Sequence, residues 1–70
     1  MNAMSEDYWL PGFNFNVEEW HEDGYETLAI CRTLAIARGA FTAAMANNPE
    51  GRFMIRARTR VVKRYPEGDW

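Results

Sequence analysis

The chain has 70 residues and a mass of 8.1 kDa, room for one small domain or a fragment that folds with a partner. Hydrophobic residues at 47% and charged residues at 26% describe a globular chain rather than a disordered one. With a formal net charge of −2 the chain is itself neither a basic tail nor an acidic one, and a single cysteine excludes a disulfide scaffold, a four-cysteine zinc site and a CxxC redox pair.

Residues 1–12 read as an arm that ends in the turn signal Pro11-Gly12. The acidic start, MNAMSEDYW, has no basic region followed by an apolar core, so it is not expected to be a secretory signal. Residues 13–65 read as a single α+β domain and residues 66–70 as a tail. Phe13 to Glu18 alternates apolar and polar residues, which is strand periodicity. Phe13, Phe15 and Val17 are expected on one face, with Asn14, Asn16, Glu18 and Trp20 on the other. His21-Glu22-Asp23-Gly24 closes a hairpin turn, because Asp-Gly supplies the backbone conformations that turn needs.

Tyr25 to Cys31 is read as the second strand because it comes directly after a hairpin turn and carries Tyr, Thr and Ile. Simple alternation places Glu26, Leu28 and Ile30 on one face and Tyr25, Thr27, Ala29 and Cys31 on the other. The start of a longer helix is the competing reading of the same residues. Residues 34–47 form an alanine-rich helix with Thr33 as N-cap, and Leu34, Ala37, Phe41, Ala44 and Met45 recur on one face. Asn47-Asn48-Pro49 stops it, with asparagine expected in a left-handed cap. Arg52 to Arg60 alternates again, which puts Phe53, Ile55, Ala57, Thr59 and Val61 against the helix. Tyr65-Pro66-Glu67-Gly68 is a turn-rich exit. The near-repeat TLAICR (27–32) and TLAIAR (33–38) has too short a period for a solenoid and is read as coincidence.

The expected architecture is therefore strand–strand–helix–strand. A helical crossover returns strand three beside strand one, giving a three-stranded sheet of order 2-1-3 with the helix on one face. That order bears on the charges, which are segregated along the chain. Residues 1–31 hold seven acids and no Lys or Arg, residues 32–64 hold all eight bases and one acid, and the tail adds Glu67 and Asp69. With acidic strand one beside the arginine-rich strand three, Glu18 is expected to pair across strands with one or more of Arg56, Arg58 and Arg60.

The arginine stripe is the first candidate surface. Arg52, Arg56, Arg58 and Arg60 on one sheet face, extended by Lys63 and Arg64, suit a phosphate-tracking surface with Trp20 as a base-stacking partner. The same charges equally suit an acidic protein partner, an edge strand guarded against aggregation, or neutralisation by strand one. A sequence pI of about 5.2 and the lack of an RNP or GXXG motif weigh against nucleic acid.

The outer helix face is the second candidate. Ala35, Gly39 and Ala43 recur every four residues and Ala46 comes after them, with Arg38 the one charge between Leu34 and Ala46. Small residues let another backbone approach closely, which makes this a candidate homodimer surface. The bland alternatives are that the arm residues Tyr8-Trp9-Leu10-Pro11 cover it, or that alanine serves helix propensity alone.

His21 sits among Glu18, Glu19, Glu22 and Asp23, but one histidine in a hairpin turn with flexible acids reads as solvated, and no metal is expected. Cys31 reads as a small buried hydrophobe, and Ser5 lacks a base. With no Gly-rich phosphate loop, GxSxG turn or paired inward carboxylates, neither an enzyme nor a cofactor is expected. The apolar run from Thr27 to Ala46 has bilayer length, but Arg32 and Arg38 interrupt it, so a membrane span is not expected and the chain is assigned to the cytoplasm.

Leu28-Ala29-Ile30, Ala37-Arg38-Gly39-Ala40-Phe41 and Arg60-Val61-Val62 give the chain a resemblance to short uncharacterised bacterial proteins of similar size. The resemblance spans residues 17–62, departs at Gly39 and Glu19, and implies no activity. The leading expectation is a non-catalytic protein-interaction module that self-associates as a homodimer. The alternative is a nucleic-acid-binding protein using the arginine-rich strand.

Overall fold

A computed structural model describes residues 15–68 and Trp70. The expected arm at 1–12, and with it Ser5, Tyr8 and Trp9, lies outside the described residues, as do Phe13 and Asn14. Strands β1 (Phe15–His21) and β2 (Gly24–Cys31) form a hairpin, helix α1 (Leu34–Asn47) crosses over, and β3 (Arg52–Ala57) and β4 (Arg60–Tyr65) form a second hairpin. The sheet is antiparallel with order β2-β1-β3-β4, and α1 packs against β1, β2 and β3. The α+β class and the 2-1-3 neighbourhood are as expected. The three-strand count is corrected to four.

The correction arises at Arg58-Thr59. Period-2 alternation runs unbroken through residues 52–61, and no Gly, Pro, Asn or Asp marks a break. The chain nevertheless turns there, with Ala57 paired to Arg60 and Arg58 at φ 59°. A positive φ at the first turn residue suits a tight hairpin, although glycine is the usual occupant. The ladder between β3 and β4 sets the turn here, in place of turn chemistry. At the other hairpin the reversal falls where expected, but the turn residues are Glu22 and Asp23, and Gly24 at φ 146°, a conformation that side chains rarely adopt, is already paired with His21, so Asp-Gly does not form the centre of the turn.

Thr33 caps α1 as expected, its Oγ1 accepting from the Ile36 amide at 3.1 Å. The other end differs. Asn48 has φ −145°, which is not left-handed, and Pro49 stops the helix while the Asn48 amide donates to the Ala44 carbonyl. Gly51 then passes so close to Phe53 that a β-carbon would stand 2.8 Å from its ring.

The core is built from one face of the sheet and one stripe of α1. Val17, Cys31, Ala37, Phe41, Phe53 and Ile55 are buried together, and Phe15, Ala29, Leu34, Ala44, Met45, Val62 and Tyr65 pack around them. Two bulges decide which side chains reach it. In β2 the register shifts so that Val17 pairs with Ala29 but Glu18 with Thr27, leaving Leu28 as the extra residue. Ala29 and Cys31 therefore turn to the helix, whereas Thr27 and Tyr25 share the open face with Ile30. This overturns the simple alternation expected for residues 25–31. In β4 a second shift leaves Val62 as the extra residue, so Val62 reaches the core and Val61, opposite Arg56, does not.

Burial raises the pKa of the Cys31 thiol, since the thiolate is disfavoured away from water. The thiol is therefore expected to react slowly with a disulfide reagent at neutral pH in the folded chain and rapidly in urea. The sign carries over to stability. A folded pKa above the unfolded one gives a contribution that is complete below the unfolded value and is lost as pH rises through the folded one. Equal reaction rates in both states would refute this placement.

Candidate functional site

The open face of the sheet, away from α1, gathers side chains from all four strands. Opposite residues of an antiparallel ladder point to one side. Glu18 pairs with Met54, Trp20 with Arg52, Asn16 with Arg56, Trp20 with Tyr25, and Met54 with Arg64. This face therefore presents Trp20, Tyr25, Arg52, Arg56 and Arg64 above a floor made by Glu18 and Met54.

Glu18 is 0% exposed, and its carboxylate is fully engaged. Oε2 accepts from Arg56 Nη2 at 2.8 Å and from Arg56 Nε at 3.1 Å, while Oε1 accepts from Trp20 Nε1 at 3.1 Å. Hydrogen bonding to Glu18, together with its negative charge, outweighs desolvation and raises the Arg56 pKa further. Charge-assisted bonds of this kind fix orientation as well as energy. The consequence is a locked stack: Trp20 and Tyr25 lie with centroids 4.7 Å apart at 25°, and the Arg56 guanidinium sits 4.9 Å from the Tyr25 centroid and 5.9 Å from that of Trp20.

Trp70 extends the cluster. Its ring stands 6.4 Å from Trp20 at 62°, with Arg52 at 5.7 Å and Arg64 at 6.0 Å from its centroid. Trp70 Nε1 donates to the Pro66 carbonyl, and Arg64 Nη1 donates to the Gly68 carbonyl at 2.8 Å, which ties the tail to β4. Arg64 Nε is buried and has no hydrogen-bond partner among the described residues.

The arginine stripe is thus partly corrected. Arg52 and Arg56 share the open face with Met54 as expected. Arg58 lies in the β3–β4 turn, and Arg60 pairs with Ala57 at the far end of β4. Arg64 takes their place on the face. The expected cross-strand partner of Glu18 is Arg56, and among the described residues Arg52, Arg58, Arg60, Lys63 and Arg64 form no ion pair with a carboxylate. Sequence reasoning missed Tyr25, which the β2 bulge brings round, and Trp70, which only the fold-back of the tail reveals.

The expected homodimer surface is open on the helix. Ala35, Gly39, Ala43 and Ala46 are all exposed, Ile36 beside them is 58% exposed, and a β-carbon on Gly39 would meet nothing within 4 Å. His21 meets a different set of acids from the one its sequence neighbours suggested. Its Nε2 is 3.7 Å from Glu26, and Glu19, His21 and Glu26 offer three ligand atoms within 4.8 Å of one another. Glu19 Oε2 also accepts from Asn48 Nδ2 at 3.2 Å. These groups are mostly exposed at the hairpin end.

No helix among the described residues is long and apolar enough to cross a membrane. Comparison with protein-family models, with curated proteins and with solved structures found no match to the chain.

Proposed function

We propose that this protein is a small, non-catalytic interaction module that self-associates, two copies joining their β2 strands antiparallel across a two-fold axis. The observation that carries this reading is the inequality of the two sheet edges. Edge strand β4 carries Arg60, Lys63 and Arg64, the kind of charge that blocks edge-to-edge pairing. Edge strand β2 carries one charge, Glu26, and exposes Leu28 and Ile30, the latter 64% accessible. Its outer row of amides and carbonyls is a template for a further strand.

Charge order favours a second copy as the occupant. Antiparallel pairing places the acidic hairpin end of one β2, with Glu22, Asp23 and Glu26, against the Ile30-Cys31-Arg32 end of its twin and away from the twin's own acids. A closed two-fold contact also uses the same patch twice, as isologous dimers do. The bulge at Leu28 is the edge's one guard, and it leaves Ala29 to Cys31 in regular register.

Light scattering coupled to size exclusion tests this. The wild-type chain is expected at twice 8.1 kDa at micromolar concentration. Leu28→Lys combined with Ile30→Lys is expected to return the monomer with its circular dichroism unchanged. Gly39→Arg, on the outer helix face, is expected to leave the dimer intact. A wild-type monomer overturns the proposal. A dimer broken by Gly39→Arg but not by the β2 lysines overturns its placement and moves the contact to the helix.

A further inference from the structure

We infer that the open sheet face is a binding site for single-stranded nucleic acid, with Tyr25, Trp20 and Trp70 as stacking platforms and Arg52, Arg64 and the β3–β4 hairpin as the phosphate track. This inference concerns a different face from the β2 edge and does not depend on self-association.

Charge is the first argument. Among the described residues of the four strands, the face holds one carboxylate side chain, Glu18, and three guanidiniums, Arg52, Arg56 and Arg64. Glu18 is committed to Arg56, so Arg52 and Arg64 remain as surplus positive charge. Four of the acidic residues are held away from this face. Glu19 and Glu26 are paired with each other in the ladder and point to the helix side, in line with Phe53, while Glu22 and Asp23 form the hairpin tip. From Arg52 to the turn at Arg58, strand rise gives a track of ~20 Å through Arg52, Arg56 and Arg58, whereas Arg60 and Lys63, opposite Ala57 and Ile55, lie on the helix side.

The second argument is the form of the rings. A ligand with charge alone would be served by flexible lysines. Here the arginines lie over or beside aromatic rings, and the Trp20 indole is held in place from below by Glu18 Oε1. Held rings with guanidiniums at their level are the means by which sequence-tolerant proteins stack unpaired bases while holding the backbone. An acidic peptide has no flat π-face to use them. A duplex keeps its bases inside the stack, out of reach of these rings. Single strands satisfy both halves of the surface. Tyr25 is half exposed, so one ring of the stack is open to a ligand.

The experiment is fluorescence anisotropy of end-labelled 20-mers of dT and U with the full chain, beginning at 50 mM salt, beside a random-sequence duplex, heparin and poly-glutamate. Binding to both single strands is expected, with tryptophan quenching, and weaker binding to the duplex. Tyr25→Ala and Trp70→Ala are each expected to weaken single-strand binding about 5- to 150-fold while circular dichroism stays unchanged. Arg52→Gln with Arg64→Gln is expected to make the salt dependence shallower by about 1.4 in log–log slope, at ~0.7 per phosphate contact. Absence of binding to the 20-mers at 50 mM salt overturns the inference. So does equal binding of heparin or poly-glutamate with Tyr25→Ala and Trp70→Ala at wild-type affinity, because the face would then read charge and not bases. Preference for the duplex overturns it as well.

Discussion

Glu18→Ala is expected to lower the unfolding free energy by about 3–5 kcal/mol, the range for removing one partner of a buried ion pair. The size reflects the groups left stranded. Without the carboxylate, Arg56 loses both donors' acceptor and Trp20 Nε1 loses its own, beneath a stack that restricts rehydration. Glu18→Gln keeps an acceptor oxygen for the guanidinium or the indole but not both, so its loss should be smaller. The double variant Glu18→Leu with Arg56→Met should recover the part of the deficit that comes from Arg56, since apolar replacement of a whole buried pair is often neutral or stabilising, while Trp20 Nε1 still lacks its acceptor. Urea unfolding monitored by tryptophan fluorescence and far-ultraviolet circular dichroism measures all three. A Glu18→Ala loss under about 1 kcal/mol would class the pair with exposed ones and refute its burial. The double variant has a second use. It keeps Tyr25, Trp70, Arg52 and Arg64 but removes the clamp beneath Trp20, so it asks whether stacking needs a held indole or merely a present one.

Much of this arrangement is legible in the residues. The first reversal falls within His21 to Gly24 with glycine at a positive φ, Thr33 caps the helix and Pro49 ends it, each by local chemistry that needs no tertiary help. An arginine of strand three within diagonal reach of Glu18 is a consequence of crossover topology, because a helix that returns strand three to strand one leaves few alternatives for a mid-strand acid. The failures are of another kind. Period-2 alternation is blind to a tight reversal when a two-residue turn lacks glycine, so Arg58-Thr59 reads as continued strand. A bulge adds one residue and inverts the facing of the strand beyond it. Leu28 and Val62 each do this without any residue-level mark, and Tyr25 and Val61 end on the face opposite to their expected one. The position of Trp70 depends on arginines that are distant in sequence, and no local signal carries it. The candidate surface was therefore half visible: its charges could be read, but two of its three rings could not.

The helix separates what the fold requires from what remains for a partner, and two substitutions on it are expected to move stability in opposite directions. Phe41 is buried against Val17, Phe53 and Ile55, where the helix meets the sheet. Phe41→Ala is expected to cost about 3–5 kcal/mol, combining lost transfer energy with a cavity that so small a core cannot close. A 70-residue domain has few kcal/mol in reserve, so this variant should be largely unfolded at 37 °C, and thermal melting by circular dichroism reads it directly. Gly39 lies two residues away on the outer face, where a β-carbon meets nothing within 4 Å. Gly39→Ala is expected to stabilise the fold by about 0.5–1 kcal/mol, since mid-helix glycine costs backbone entropy that alanine does not. That gain should be the same at every protein concentration if β2 is the self-association surface. A gain that shrinks or reverses as concentration rises would show that glycine's lack of a side chain is used by a second helix, and would reassign the contact to the stripe of Ala35, Gly39, Ala43 and Ala46.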